Sequence, residues 1–589
     1  MRLDFNYKIG IGALLALLLM FECVATAQVA SALIREGEAL PGDTLGSSIT
    51  GIGNSAQNSV GGYAFSVTTD GSFSHVWGHA TGGTGTVFLS ESTYGNLMQV
   101  SFESFFGMSD AGAIFYSAST DEIVGGGTGL DGVWTDTTLL VNEEEPVNEL
   151  IGQWHTFNSR PGITANGIPY WVGGYADNPG DPTADRALFR TDGVNMILRG
   201  GSFIAGVNLP ISMGSGIDFD VRYSNMGTNY ILPVDVNSGS STNDIVVISN
   251  GTALTDAGGA ILREATAVSG AAGGTGGEAY DNFDFVGISE AGNFFVTGDT
   301  DGATTTDEFV MIDGEFVLKE GDMIGSMTLS GSIEGGFFNE DGDYAVIWDV
   351  NSGPDNLEAL IVNGRVVLLE GDAIDWNGDG TIDGSDQGAT LTDFTGISAL
   401  TLSNRDGSLV DLCFTADCDV NGTVLEGGFF MTVDLSPVQT VNVDSFNVTR
   451  GEYVSGGLPE LANSDNSDLV ARRANNDIQS RVFVEFKSFS PTETPSRFDL
   501  TFEAAVFARS TVVQSIDMFN YDTGDWEEVD SRNAQRLVDL VTVVTPAGDL
   551  SRFVEPGTGC IEARVRFQSV SPRQKFSANI DHVIWTISP

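Results

Sequence analysis

Residues 375–386, DWNGDGTIDGSD, place oxygen-bearing side chains at a spacing that can surround one hard cation. Carboxylate or amide oxygens occur at positions 1, 3, 5, 9 and 12 of the stretch, and a glycine at position 6 allows a sharp turn. Calcium takes about six to eight such oxygens, and the backbone carbonyl at position 7 would supply one of them. The sequence therefore predicts a Ca²⁺ site whose ligands are Asp375, Asn377, Asp379, Thr381, Asp383 and Asp386.

The stretch resembles the calcium loop of EF-hand proteins, except that Asp386 occupies position 12, where that loop usually has a bidentate glutamate. In this respect it is similar to the loops of dockerin modules and other extracellular calcium repeats, which implies weaker binding. A dockerin has a second copy and flanking helices, whereas the segment after this loop, QGATLTDFTGISALTLS, has strand character. Cohesin docking is therefore not expected, and an aspartate-rich loop without metal is the alternative.

A degenerate repeat surrounds this loop. Its first marker is the glutamate or glycine in segments such as LIREGEALPG, VLKEGDMIGS and LLEGDAIDWN, and it recurs at Glu36, Glu91, Glu143, Gly200, Glu264, Glu320 and Glu370. A second marker, a turn glycine before an apolar strand, alternates with the first at Gly61, Gly112, Gly167, Gly227, Gly292, Gly342 and Gly407. The first markers are 50 to 64 residues apart, a period that suits a four-stranded antiparallel blade.

Seven alternating pairs of markers predict a seven-bladed β-propeller. The strand near Leu33 would complete the blade that contains Gly407, which closes the ring and protects the sheet edges. A β-solenoid or two β-sandwiches would use the same pattern and are the alternatives. The interval from Glu370 to Gly407 is 37 residues, against 21 to 28 in the other units, so the predicted calcium loop is an insertion between strands of one blade.

The first 27 residues have the features of a secretory signal peptide, because Arg2 and Lys8 precede an apolar run and an Ala-Thr-Ala cleavage site. No later segment is apolar enough to span a bilayer, so the chain is expected to be secreted, extracellular or periplasmic. Residues 28–437 contain 57 acidic and 10 basic side chains, whereas residues 438–589 contain 21 and 14. This shortage of Lys and Arg excludes recognition of a nucleic-acid backbone and favours cations as partners.

No other segment predicts catalytic residues. His75 and His79 lie in FSHVWGHATGG, which is typical of a strand and a turn, where this spacing does not converge on a metal. No local pattern selects the carboxylate pair that a glycoside hydrolase needs. A non-enzymatic binding or scaffold protein is therefore expected, and a polysaccharide-active hydrolase or lyase that uses propeller carboxylates is the alternative. The acidic stretch 417–423 lacks carboxylates at positions 9 and 12 of a calcium loop and predicts a hairpin turn.

Three cysteines, Cys413, Cys418 and Cys560, follow the predicted signal peptide. Cys413 and Cys418 flank the segment FTAD, which we interpret as a turn. In an oxidising compartment a disulfide could join them across it, provided that their Cα atoms approach within about 7 Å. Two buried thiols are the alternative.

From residue 436 the repeat gives way to alternating apolar stretches that predict the strands of a β-sandwich or jelly roll. They run over residues 481–489, 497–506, 512–521, 537–544, 561–567 and 576–587. The sequence thus predicts an all-β chain with a signal peptide at 1–27, a propeller at 28–435 and a sandwich at 436–589. Its basic residues in or beside these strands could pair with acids across strands or bind an anionic partner; they are Arg472, Arg473, Arg481, Lys487, Arg564 and Arg566.

This C-terminal region resembles a module common in large exported bacterial proteins of unknown function. The resemblance rests on GEYVSGGLPELANSDNSDLVAR, SPTETPSRFDLTFEAAVFARSTVVQSIDMFNYDTGDWEEVDSR, RFVEPGTGCIEARVRF and NIDHVIWTI. The preceding region is similar to exported propeller-like proteins with EGD-type repeats. The implied fold of the module is a jelly roll similar to galactose-binding-like domains, so carbohydrate or a cell-surface protein is the expected partner. Tyr521 and Trp526 are candidates for stacking on a sugar, and residues 464–468 are a candidate second calcium loop.

Overall fold

The computed structural model describes residues 29–588, apart from residues 72–73, 82, 92, 95–96, 123–129, 144–145, 148–152, 158–160, 177–184, 191–194, 215, 218–220, 242–243, 325–326, 353–354, 396–399, 437–438, 463–467, 494, 496, 538–539 and 547–549. The predicted signal peptide lies outside the described residues, as do residues 464–467 of the second candidate loop. The described chain is all-β, with three short 3₁₀ helices at Gly384–Asp386, Pro459–Leu461 and Leu550–Phe553. None of its helices is long and apolar enough to cross a membrane. The chain divides into two compact units, Val29–Val433 and Asp434–Pro589.

The first unit consists of seven antiparallel sheets that follow one another along the chain. The N-terminal strand β1 is Ser31–Arg35. Sheet 1 contains β2 (Ile49–Gln57), β3 (Tyr63–Thr69), β4 (Ser74–His79) and β5 (Thr86–Ser90); sheet 2 contains β6 (Thr93–Tyr94), β7 (Leu97–Met108), β8 (Ile114–Glu122), β9 (Leu130–Thr135) and β10 (Thr138–Asn142); sheet 3 contains β11 (Gln153–Thr156), β12 (Gly162–Ile163), β13 (Pro169–Ala176), β14 (Asp185–Arg190) and β15 (Asn195–Arg199).

Sheets 4 to 7 continue the same pattern, and β1 belongs to the last of them. Sheet 4 contains β16 (Arg222–Tyr223), β17 (Tyr230–Asp235), β18 (Ile245–Ser249) and β19 (Thr252–Ala253); sheet 5 contains β20 (Tyr280–Ile288), β21 (Phe294–Thr300), β22 (Glu308–Ile312) and β23 (Glu315–Lys319); sheet 6 contains β24 (Met323–Ile324), β25 (Met327–Phe338), β26 (Tyr344–Ser352), β27 (Asp355–Val362) and β28 (Arg365–Leu369); sheet 7 contains β1, β29 (Thr390–Phe394), β30 (Thr401–Leu402), β31 (Leu409–Val420) and β32 (Thr423–Asp434).

Both repeat markers have a structural cause. The first marker follows the last strand of a sheet, and its N–H extends the pairing, as when Glu320 donates to the Glu308 carbonyl at 2.9 Å and Glu370 to that of Glu358 at 2.9 Å. The second marker lies in a tight turn between two strands, and all seven of its glycines have positive φ, from 67° to 87°. Side chains with a Cβ rarely adopt this conformation, which explains why glycine recurs there.

The strand near Leu33 pairs as the sequence predicts. β1 runs antiparallel to β32, with Ser31 opposite Phe430 and Arg35 opposite Gly427. Ile34 of β1 also packs with Phe65 and Trp77 of sheet 1 in one buried cluster, so sheet 7 adjoins sheet 1. Similar clusters join sheets 1 and 2, 2 and 3, 3 and 4, 4 and 5, and 5 and 6. Sheets 6 and 7 meet through the side-chain amide of Asn339, which donates to the Ser403 carbonyl at 2.8 Å.

The prediction of a turn between Cys413 and Cys418 is wrong. Residues 414–417 lie inside β31, which continues to Val420 because its side chains alternate between two buried faces. Five residues along one strand separate the Cα atoms by roughly 16 Å, too far for a disulfide. Both thiols are free and buried. The hairpin turn predicted from the acidic stretch is confirmed at Asn421-Gly422, between β31 and β32.

The second unit contains two antiparallel sheets that enclose one apolar core. The six-stranded sheet contains β33 (Gln439–Asn442), β35 (Glu452–Ser455), β36 (Leu469–Arg472), β38 (Arg497–Phe507), β41 (Leu540–Val544) and β43 (Ser577–Ser588); the five-stranded sheet contains β34 (Ser445–Arg450), β37 (Arg481–Phe489), β39 (Val512–Asn520), β40 (Asp525–Asn533) and β42 (Cys560–Ser569). The six stretches predicted from alternation coincide with β37, β38, β39, β41, β42 and β43. Alternation was informative here because each strand faces the core with one side only.

Candidate metal centre and binding surfaces

The predicted calcium loop lies between β28 and β29, and its first residues are fixed to the N-terminal strand. The Asp375 N–H donates to the Ala30 carbonyl at 3.1 Å, and the Ala32 N–H donates to the Asp375 carbonyl at 2.9 Å. The next residue, Trp376, is buried against Phe429 of β32, with ring centroids 6.3 Å apart. The main chain of β1 and the side chains of β32 thus hold the start of the loop.

Two carboxylates of the loop are buried, Asp375 at 0 % and Asp386 at 1 % exposure. The Asp375 carboxylate accepts hydrogen bonds from the backbone N–H groups of Gly378 at 2.8 Å and Gly380 at 2.7 Å. The Asp386 carboxylate accepts from the backbone N–H groups of Asn377 at 3.0 Å and Asp383 at 2.7 Å. Within the described part of the chain, no Lys or Arg forms an ion pair with either group. Backbone N–H groups offset part of the charge of these carboxylates, as for other acids of this unit, and a metal ion at their remaining lone pairs would supply the positive charge that both lack.

The other predicted ligands lie at the surface. Asn377 Oδ1 accepts from the Asp379 N–H at 2.8 Å, and Asp379 Oδ1 accepts from the Thr381 N–H at 3.0 Å and its hydroxyl at 2.7 Å. The hydrogen bonds from Thr381 and Ser385 lower the pKa values of Asp379 and Asp383, respectively, so both stay ionised at neutral pH. No three carboxylates of the loop approach within 4.8 Å of one another. The structure thus places the six residues in one loop. The exposed side chains of Asp379 and Asp383 would have to rotate to reach an ion bound by Asp375 and Asp386.

A carboxylate group that sequence reasoning missed occurs in sheet 5. Oxygens of Asp284, Asp299 and Glu308 lie within 4.8 Å of one another, and Asp299 and Glu308 are opposite each other on β21 and β22. Burial and the charge of Asp299 raise the pKa of Glu308 to about 9. In sheet 6, Glu358 is likewise opposite Asp349, and burial and Asp393 raise its pKa to about 8. Only the register of neighbouring strands within each sheet could have revealed these pairs.

A cavity of about 150 Å³ is lined by residues from every sheet of the first unit. The strands that contribute are β2, β7, β12, β13, β16, β20, β25 and β30. The carboxylates at the lining are Asp110 and Glu340. Both oxygens of each carboxylate accept hydrogen bonds. Asp110 accepts from the Ser59 N–H at 3.0 Å and from the Ser59 hydroxyl at 2.7 Å. Glu340 accepts from the Glu290 N–H at 2.6 Å and from the Asn225 N–H. These carboxylates therefore join the turns of neighbouring sheets.

His75 and His79 both form hydrogen bonds in or beside sheet 1. His75 is 5 % exposed and shares hydrogen bonds with Thr69 at 3.3 Å and Ser90 at 2.8 Å. Burial lowers its pKa, which keeps the ring neutral at physiological pH. His79 accepts a hydrogen bond from the Thr81 N–H at 3.2 Å, in the turn after β4.

The two aromatic residues considered for sugar stacking are occupied by other contacts. Arg564 covers the Trp526 ring at 4.4 Å, and Phe519 meets it edge-on at 5.4 Å. The Tyr521 hydroxyl donates to Cys560 Sγ at 3.2 Å. Four of the six predicted basic residues form ion pairs across strands, Arg472 with Glu452 at 2.8 Å, Lys487 with Glu562 at 3.3 Å, and Arg564 and Arg566 with Asp517 at 2.8 and 2.6 Å. Arg473 instead donates to the Asp477 carbonyl at 2.6 Å. Cross-strand pairing, one of the two expected roles, is therefore what the four paired residues do.

The outer face of the six-stranded sheet contains a different polar group. Glu503 is only 8 % exposed, although its neighbours Phe502 and Ala504 face the core and it therefore points outward. Its Oε2 has no hydrogen-bond partner among the described residues. It lies opposite His582 of β43 and Val541 of β41. A buried oxygen of this kind calls for a donor from outside the chain, which can be water or a ligand.

No protein-family model matches the sequence, and no curated protein matches it either. Similar solved structures include a CBM4 structure, with 12% identity, 25% of this chain and 96% of the other covered, and a TM-score of 0.17. The xylan-binding module CBM15 has 15% identity, with 26% of this chain and 97% of the other covered and a TM-score of 0.19. TmCBM61 in complex with beta-1,4-galactotriose has 11% identity, with 26% of this chain and 88% of the other covered and a TM-score of 0.15. TM-scores of 0.15 to 0.19 carry no argument about function, so function is argued from the residues of this chain.

Proposed function

We propose that this protein is a secreted, calcium-binding, non-enzymatic binding or scaffold protein. One Ca²⁺ would be held by the loop 375–386, through the side chains of Asp375, Asn377, Asp379, Asp383 and Asp386 and the carbonyl of Thr381. The observation that carries this proposal is the burial of Asp375 and Asp386 at 0 % and 1 % exposure without a cationic partner in the described chain. A calcium ion would supply the missing positive charge.

The scaffold we propose is a closed seven-bladed β-propeller followed by a jelly-roll sandwich. Contacts between successive sheets, and between sheet 7 and sheet 1, support a ring. A cavity lined by strands of all seven sheets supports a central axis. The same cavity favours a non-enzymatic role, because the oxygens of both carboxylates at its lining already accept hydrogen bonds within the chain.

Calcium binding is tested by isothermal titration of the chain from residue 28. We expect one Ca²⁺ per chain and a higher melting temperature in calcium, because an ion that binds only the folded state stabilises it by mass action. The variant Asp375→Asn with Asp379→Asn should lose both effects. Asp522→Asn with Asp525→Asn is the matched control, since those exposed acids lie in or beside a turn without the ligand pattern. Equal melting temperatures with and without calcium would refute the proposal.

For the sandwich we propose recognition of glycan at the outer face of the six-stranded sheet. The supporting observation is the unpartnered Oε2 of Glu503, which is buried, so the side chain would have to turn toward solvent before a sugar hydroxyl could donate to it. Exposed Val541 and Val543 on the same side, at 51% and 54%, offer apolar surface for a sugar ring.

A glycan array tests this surface. We expect the Glu503→Gln variant to lose the glycans bound by the unmodified protein, and its folding to be unimpaired because no internal hydrogen bond to Oε2 is removed. The control is Glu485→Gln, on the five-stranded sheet, which should retain binding. Unchanged binding by the Glu503 variant would place the glycan elsewhere, and an array without any bound glycan would reject glycan as the ligand.

A further inference from the structure

The calcium loop and the N-terminal strand share a residue. β1 is the edge strand of sheet 7, with β32 on one side. On its other side, Ser31 forms a parallel bridge with Asp375, whose N–H and carbonyl bond to Ala30 and Ala32 at 3.1 and 2.9 Å. The main chain of Asp375 thus holds β1, while its side chain occupies the first ligand position of the loop.

Two further contacts join the same elements. Arg35, at the end of β1, donates through Nη1 to the Trp376 carbonyl at 2.7 Å. Gly378 approaches the strand so closely that a Cβ at this position would lie 2.5 Å from the Ala32 carbonyl oxygen. The loop and β1 therefore fit each other along residues 375–378, on the side of the loop that also contains the buried Asp375 carboxylate.

We propose that a calcium ion in this loop latches the N-terminal strand in place, so that calcium controls closure of the seven-sheet unit. This inference rests on the proposed calcium site. Without the ion, the buried Asp375 and Asp386 carboxylates have no cationic partner, which favours opening of the loop. Opening would remove the main-chain bonds of Asp375 from β1, whereas ion binding would order both together. By linkage, docking of β1 and calcium binding strengthen each other by the same factor.

Hydrogen exchange of the chain from residue 28, in calcium or in chelator, measures this coupling. We expect the Ala32 and Ile34 amides of β1 to exchange at least tenfold more slowly in calcium, while amides of β39 in the sandwich stay unchanged. Titration calorimetry on the same sample reports binding separately. If no calcium binds, the proposed function fails; if calcium binds and exchange of β1 does not change, only the latch is overturned.

Two glycine variants provide a matched pair. Gly378 and Gly388 both have positive φ, 76° and 69°, so alanine strains the backbone at each. Only at position 378 does the new Cβ meet β1, since nothing lies within 4 Å of it at position 388, which follows the loop. We expect Gly378→Ala to bind calcium at least fivefold more weakly than Gly388→Ala and to lose the calcium-dependent protection of β1. Equal affinity and equal protection in the two variants would overturn the latch.

Discussion

The two units of this chain stabilise their carboxylates in different ways. In the sandwich, buried Asp517 is paired with the guanidinium groups of Arg564 and Arg566. In the acid-rich first unit, carboxylates accept main-chain N–H groups, often from the next sheet; Glu290 accepts from Met226 at 2.7 Å and Asp256 from Ser269 at 3.0 Å. The difference teaches that a surplus of acid can be built into a fold when backbone amides replace basic side chains.

The largest expected effect is loss of the arginine-paired acid. Replacement of Asp517 by Asn should lower the free energy of unfolding of the sandwich by about 3 kcal/mol, because the partly buried Arg564 loses its counter-charge and Arg566 keeps only the exposed Glu528. Urea denaturation followed by tryptophan fluorescence measures it. Exposed Asp522→Asn should leave the curve unchanged. A loss below about 1 kcal/mol would mean that the arginines are adequately solvated without the pair.

A smaller loss is expected where backbone amides do the pairing. Glu320 accepts from the Asp307 N–H at 3.2 Å and the Gly331 N–H at 3.0 Å, so Glu320→Ala should cost about 2 kcal/mol. The same cost in 1 M salt is expected, because these bonds are partly buried and do not depend on a mobile cation. Glu315→Ala, at an exposed site in β23, is the control. A cost that vanishes in salt would contradict the main-chain mechanism.

A third effect depends on pH and has opposite signs in the two units. The pKa of Glu308 is raised to about 9 from 4.5, so ionisation favours the unfolded chain and stability falls as pH rises from about 4.5 toward 9. Arg552 lowers the pKa of Glu527 in the sandwich, so that contribution is present above pH 4.5 and is lost as pH falls through the lowered value.

Melting curves of Glu308→Gln and Glu527→Gln measure these contributions. We expect the first variant to melt with the unmodified protein at pH 4 and above it at pH 8, and the second to melt below it at pH 7 and with it at pH 2.5. A Glu308 variant without any gain at pH 8 would show that the carboxyl is stabilised in its ionised form.

Sequence reasoning succeeded where one local rule dictated the conformation. The glycines from Gly61 to Gly407 were found because positive φ in a tight turn selects glycine, and the sandwich strands were found because each faces the core with one side. Reasoning failed at residues 414–417, where a strand buried on both faces lacks alternation and was mistaken for a turn. It also missed Asp284, Asp299 and Glu308, which three different strands bring together. Binding of calcium by residues 375–386 and glycan at Glu503 stay predictions.

The buried thiol of Cys413 can report how often the contact between sheet 7 and sheet 1 opens. Cys413 is 0 % exposed, in the cluster where sheet 7 meets sheet 1, and burial raises its pKa well above that of a free thiol. A thiol reagent can therefore modify Cys413 only while the contact between these two sheets is open. The rate of labelling in native buffer would count such openings directly, without any engineered probe.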